Sequence, residues 1–241
     1  MFRICSKFNR IAIFSTLATL LSAFLVLRWY NIKLDLNQFP PTRYSPPQTN
    51  KRTAVILPIL HGKPTITVAV VACESSLSDA LAMMTSLVMF SREVDLDLKI
   101  FQNNISQIEL LAHLVLLKAV HSKQNGKLTS QIHNVSFPDP FWYPLFKPCA
   151  TQRIFLSHML PDVDSLMYVD ADVLFLSSAG ELWKHFLLMN GTQMIAMAPD
   201  GLPPAKSTYS SSKVPYYAPR GLNSGVLLMN LTRMRQMDFS N

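Results

Sequence analysis

Between Leu166 and Leu176 every residue is apolar or aromatic except Asp170 and Asp172, and no other stretch constrains the chain as strongly. An apolar run of this kind reads as a strand buried in an α/β sheet. In an extended backbone residues two apart share a side, so both carboxylates are expected together at a strand end. Left unpaired among Met167, Tyr168, Val169, Val173, Leu174 and Phe175 they would be costly, and their repulsion would raise at least one pKa, unless a cation compensates. A hard divalent ion, Mg²⁺ or Mn²⁺, does so directly, completes its shell with phosphate oxygens and steadies a departing diphosphate. The competing reading is a surface strand end that two aspartates terminate. Apolar residues on both flanks weigh against it, as does the position, because ligand sites of open α/β sheets lie beyond the carboxyl ends of strands.

The rest of the chain is consistent with such a sheet. From Thr65 onward apolar strands alternate with helical stretches, which predicts a mostly parallel α/β domain. Ile66 to Ala72 and Leu96 to Phe101 read as strands, with a helix between them that Ser78 is expected to cap and that runs through Met83, Leu87 and Val88. Ile108 to Val120 has helical spacing, and Ile132 to Phe137 looks extended. An aromatic segment at Phe141, Trp142 and Tyr143 precedes Pro148, which opens a helix through Ile154, Phe155 and Met159 that Pro161 ends. Ser178 and Glu181 match a capping box for a helix through Leu182, Trp183 and Phe186, ending at Asn190 and Gly191. Met194 to Ala198 and Val226 to Met229 are two more strands. The aperiodic stretch from Asp200 to Gly221 is long enough to imply function.

The amino-terminal end reads differently. Ile11 to Leu27 is uncharged and mostly apolar, and as a helix it reaches roughly 25 Å, near the lower limit for a bilayer. Arg3, Lys7 and Arg10 precede it, Trp29 and Tyr30 follow, and no small-x-small cleavage site is present, so the pattern predicts an uncleaved type II signal-anchor rather than a signal peptide. Residues 1–10 would be a cytoplasmic tail, 11–30 the anchor, 31–64 a proline-rich stem and 65–241 the lumenal domain. The formal charge of +7 concentrates at this end, since Arg3, Lys7, Arg10, Arg28 and Lys33 precede the first acid, Asp35. No basic run with interleaved aromatics follows, which argues against nucleic-acid binding. Sequons at Asn104, Asn134, Asn190 and Asn230 suit a lumenal chain. Of the three cysteines, Cys73 and Cys149 would meet an oxidising lumen, where pairing and two buried free thiols are both open readings. Serine-hydrolase elbows, phosphate-binding glycine loops and Cys/His zinc clusters are absent from the sequence.

The segment from Lys147, Pro148, Cys149 and Ala150 through Arg153, and then Asp164 through Leu176, resembles the glucoside xylosyltransferases, which belong to the glycogenin-like, retaining glycosyltransferase family 8. The resemblance continues in order through Met197–Ala198–Pro199, Pro215–Tyr216–Tyr217, Asn223–Ser224–Gly225–Val226 and Met229–Asn230 to Thr232, Arg233 and Met234, covering residues 66–241. It implies a GT-A fold and a type II Golgi or endoplasmic-reticulum enzyme. The implied reaction is transfer of xylose from UDP-xylose, with retention, to glucose O-linked to EGF-like repeats of Notch-type proteins. It implies that Asp170, Ala171 and Asp172 hold the metal and diphosphate, that Asn223, Ser224 and Gly225 meet the donor sugar, and that the backbone around Val70, Ala72 and Cys73 holds the uridine. Arg153 is the candidate for complementing donor charge, against the reading that it is a solvated helix residue. Tyr216 and Tyr217 are candidates for the acceptor cleft.

The family pattern also holds a Gly-Asp-Gln-Asp segment and a His-Gly-Asn segment, neither of which occurs in these 241 residues. The resemblance therefore implies an incomplete catalytic domain. Two alternatives stay open: another UDP-sugar donor on the same fold, and a catalytically silent, membrane-anchored interaction protein.

Overall fold

The computed structural model describes residues 63–142, 148–201, 209, 215–217, 219 and 221–237. The tail, the anchor, the stem up to residue 62 and Tyr143 lie outside them, and no described helix is long and apolar enough to cross a membrane.

Six strands form one sheet: β1 (Thr65–Cys73), β2 (Asp95–Asn103), β3 (Leu128–Asn134), β4 (Ser165–Val169), β5 (Ile195–Pro199) and β6 (Leu222–Asn230), in the order β3-β2-β1-β4-β6-β5. The first four are mutually parallel, as the alternating pattern predicts, whereas β6 runs antiparallel to both β4 and β5. β6 is also longer than the apolar stretch Val226 to Met229. Asn223, Ser224 and Gly225 lie within it, because pairing with β5 on its far side supplies order that their side chains do not.

The pleat of β1 sends Ile66, Val68, Val70 and Ala72 into one core cluster and Ala69 and Val71 into another, so the sheet is covered on both faces. The first cluster lies under helices α1 (Leu77–Phe90) and α2 (Gln107–Lys123). Ser106 caps α2 by accepting from the Glu109 N–H at 3.4 Å. Ser78, expected as the cap of α1, lies within its first turn instead. The strand runs straight into a 3₁₀ turn, Glu74–Ser76, where the Ser76 hydroxyl bonds both the N–H and the carbonyl of Cys73.

The helix expected after Pro148 is broken into α3 (Pro148–Thr151), a 3₁₀ turn (Gln152–Phe155) and α4 (Leu156–Met159). Farther on, α5 (Ala179–Trp183) runs into a 3₁₀ turn, Lys184–Leu188. Ser178 caps α5 as expected by accepting from Gly180, but Glu181 does not complete a capping box. It turns outward to Lys184, 2.6 Å away. A last helix, α6 (Leu231–Gln236), is capped by Asn230.

Between α1 and α2, His113 Nε2 lies 2.9 Å from the Thr85 hydroxyl and 3.2 Å from the Leu81 carbonyl. Burial holds its pKa below the usual 6.5, outweighing that carbonyl and the nearby Glu109. A histidine lowered on folding binds fewer protons folded than unfolded, so its contribution is intact above about pH 6.5 and is lost as the pH falls below it. His133, shifted the same way by burial and then by Lys99, adds to this. The thermal midpoint should fall between pH 7.5 and 5.5, and His113→Gln should show a smaller fall; equal slopes would remove His113 from the account.

Candidate functional site

β4 ends at Val169, and Asp170 to Asp172 turn away from the sheet rather than continuing the strand. The paired acids are thus at a strand's carboxyl end, as expected, but on a turn that the Val173 N–H closes onto the Asp170 carbonyl at 3.3 Å. The strand stops there because the last rungs are taken by β6. Val169 pairs with Val226, and the Asp170 N–H donates to the Gly225 carbonyl at 2.8 Å. A Cβ on Gly225 would sit 3.1 Å from Asn223 Oδ1 and 3.4 Å from Asp170 Oδ2, so a side chain here would crowd both groups. The Asn223 side chain instead folds back to accept from the Gly225 N–H at 2.8 Å.

Arg153 fixes Asp170. Its Nη2 lies 2.7 Å from Asp170 Oδ1 and its Nη1 3.3 Å from Oδ2, while Nη1 also donates to the Ser224 carbonyl at 2.8 Å and Nε to the Ala150 carbonyl at 3.0 Å. The side chain is only 18% exposed, which sets aside the reading of a solvated helix residue. The guanidinium also lies 4.7 Å from the centre of the Tyr168 ring. The Tyr168 hydroxyl donates to Asp170 Oδ1 at 2.6 Å. Burial and then the Asp170 bond push its pKa far up, against the pull of Arg153, so it stays a donor. Tyr168 reads in the sequence only as an apolar neighbour, yet it is two residues before Asp170 near the strand end, and that spacing was the available signal.

Asp170 and Asp172 open onto a cleft of about 420 Å³ also lined by Val173, Asp200, Tyr209, Leu222 and the Asn223–Gly225 segment. Asp172 is exposed, and its carboxylate makes no hydrogen bond or ion pair among the described residues. Tyr216 and Tyr217, the candidates for an acceptor site, do not line this cleft; Tyr209 does. The reason is packing. Gly221 has φ +84° and carries no Cβ, and a Cβ there would fall inside the Tyr209 ring, which in turn leans on Tyr216 with centroids 5.7 Å apart. Nothing in the aperiodic loop distinguishes Tyr209 from its neighbours, so sequence reasoning missed it.

The donor set suits a hard divalent ion. Arg153 and Tyr168 occupy Asp170 Oδ1, but Oδ2 keeps acceptor capacity and both Asp172 oxygens are available. Among the described residues no third His, Cys, Asp or Glu joins them in a metal-binding cluster.

At the carboxyl ends of β1 and β2, a second hollow is lined by Cys73, Ser75, Asn103 and Asn104. Val70 and Ala72, expected beside the uridine, are fully buried and do not line it; Cys73 does. Cys73 and Cys149 form a disulfide with Cα atoms 6.4 Å apart, which decides between the two cysteine readings and ties β1 to the start of α3. Of the sequon asparagines, Asn134 and Asn190 are exposed, Asn230 is half-buried as the α6 cap, and Asn104 adopts φ 51° beside the second hollow.

The model of glycosyl transferase family 8 matches residues 67–241. The chain belongs to that family. It is 42% identical over 177 residues to glucoside xylosyltransferase 1 of Danio rerio, an alignment covering 72% of this chain and 43% of the relative. With glucoside xylosyltransferase 2 of Mus musculus it shares 41% over 187 residues, covering 76% and 42%. The chain thus spans about two fifths of the length of the curated relatives it matches. Among solved structures it superposes on galactosyltransferase LgtC, in complex with donor and acceptor sugar analogs, with a TM-score of 0.57 at 19% identity, covering 72% of this chain and 61% of that one. Mouse xyloside xylosyltransferase 1 gives 0.50 at 18% identity, covering 71% and 69%. The mixed sheet flanked by helices is the GT-A-like fold of this family.

Proposed function

We propose that this chain is part of a retaining, metal-dependent UDP-xylosyltransferase. It adds α-xylose to O-linked glucose on EGF-like repeats of Notch-type proteins, and it is held in the Golgi or endoplasmic-reticulum membrane as a single-pass type II protein. The observation that carries the reading is the Asp170–Arg153–Ser224 contact, which fixes Asp170 at the cleft that Asp172 and Asn223 also line. The xylose assignment draws on the relatives named glucoside xylosyltransferase, and the membrane assignment on the apolar run from Ile11 to Leu27 and its basic flank.

Asp170 and Asp172 hold Mn²⁺ or Mg²⁺, which when bound supplies positive charge to the leaving diphosphate. Arg153 holds Asp170 in place, and its bonds to Ser224 fix the strand that carries Asn223 beside the donor sugar. The hollow at Cys73 and Asn103 takes the uridine, beyond the carboxyl ends of β1 and β2. Tyr209 gives the cleft a flat apolar wall of the kind on which a sugar ring packs.

The full chain, offered UDP-xylose, UDP-glucose and UDP-galactose with Mn²⁺ and an O-glucosylated EGF-repeat peptide, is expected to release UDP fastest from UDP-xylose. Its glycans should be removable by endoglycosidase, as lumenal exposure requires. Faster release from another donor would replace xylose by that sugar, and absence of any Mn²⁺-dependent UDP affinity in calorimetry would sink the reading altogether.

A further inference from the structure

We propose that Tyr168 is the positioning residue that aims Asp170 at the metal, a role that rests on the function proposed above. Side chains two apart on β4 share a side. Tyr168 lies on the side of the core cluster that holds Leu156, Leu160 and Leu227, and Arg153 sits over its ring. The tyrosine is 1% exposed, among residues where a phenylalanine would fill the same space. Among the described residues its hydroxyl makes one hydrogen bond, to Asp170 Oδ1 at 2.6 Å. A buried hydroxyl is costly without a partner, so the group that accounts for a tyrosine at this position is the Asp170 carboxylate.

Tyr168 meets the site twice. Its hydroxyl donates to Asp170 Oδ1, and its ring centre lies 4.7 Å from the guanidinium carbon of Arg153, whose Nη2 reaches the same oxygen at 2.7 Å. Two donors thus converge on Oδ1, and Oδ2 receives only the longer 3.3 Å contact from Nη1. A Cβ on Gly225 would lie 3.4 Å from Oδ2, which places this oxygen beside a residue that lines the cleft. The last torsion of an aspartate is soft, and the second donor holds a carboxylate that one donor alone would let swing. Charge explains why that second donor is a phenol. Arg153 already cancels one of the two carboxylate charges, and another cation would cancel the other and repel a divalent ion. A neutral hydroxyl fixes the oxygen and leaves the negative charge in place.

In calorimetry the full chain is expected to bind UDP more tightly in Mn²⁺ than in EDTA, and that gain is the quantity Tyr168 controls. Tyr168→Phe keeps the ring against Arg153 and removes the hydroxyl alone. It should raise the dissociation constant of UDP in Mn²⁺ about tenfold, the value of one hydrogen bond to a charged group, and leave that in EDTA within about twofold. Tyr168→Leu also removes the ring and should lose more of the gain. Leu166→Val, at a buried position of the same strand, should lower the thermal midpoint and keep the gain intact. A Tyr168→Phe protein with the parent's gain overturns the role. Equal losses in Mn²⁺ and EDTA also overturn it, because they mark a merely structural residue, and so does loss of the gain in Leu166→Val, which would assign the effect to a loosened strand. A parent whose UDP affinity ignores Mn²⁺ is a different failure: it removes the proposed function itself, and this role with it.

Discussion

Asp170→Asn is expected to lower UDP affinity in the presence of Mn²⁺ by at least about a hundredfold, a loss of roughly 3 kcal/mol. Among the described residues Asp170 is the one carboxylate that meets Arg153, Tyr168 and the cleft together. Removing its charge leaves a guanidinium that is only 18% exposed without a countercharge and withdraws one of two candidate metal ligands. The unpaired cation should cost about 2 kcal/mol of stability, less than for a fully buried pair because Asp170 itself is 28% exposed. The exposed pair Lys184–Glu181 is the matched control. Its side chains are 65% and 63% exposed, and Glu181→Gln should change neither quantity measurably. Calorimetry with and without Mn²⁺, beside a thermal melt, separates the two effects. UDP affinity that survives Asp170→Asn while Asp172→Asn abolishes it would move the metal site off Asp170.

Cys149→Ala is expected to lower stability by about 4 kcal/mol, on the chain-entropy estimate for a closed loop the length of the 76-residue separation between Cys73 and Cys149. For a domain of this size that corresponds to a midpoint lower by roughly 10 °C. The same change should weaken UDP binding, since the bridge ties the carboxyl end of β1, where the second hollow lies, to α3, from which the chain enters the turn that carries Arg153. Dithiothreitol should destabilise the parent protein and leave the variant unchanged. A parent protein indifferent to reductant would mean that the two thiols are free.

Much of the fold was legible locally. The runs Ile66 to Ala72 and Leu96 to Phe101 are apolar enough to be buried on both faces, and both are strands. Ser178 caps the helix it was expected to cap. Ser78 did not, because a 3₁₀ turn that no periodicity announces intervenes between β1 and α1. At the site, the paired acids and the Asn223–Gly225 segment were visible in the sequence, and the structure lines one cleft with them. Tyr209 was invisible, since its place depends on the space that Gly221 leaves open.

The sequence by itself determined the alternation of strands and helices, the presence of two carboxylates at the end of an apolar strand, and an apolar amino-terminal run flanked by positive charge. Each of these is a local property, set by side-chain period and by the cost of burying charge. Only the tertiary structure decided that Arg153 spans from Asp170 to Ser224, that Cys73 reaches Cys149, that β6 inserts antiparallel between β4 and β5, and that Tyr209 rather than Tyr216 or Tyr217 faces the cleft. These contacts join residues far apart in the chain, and which distant groups meet is fixed by how the crossovers pack around the whole sheet, a choice that no window of neighbouring residues encodes.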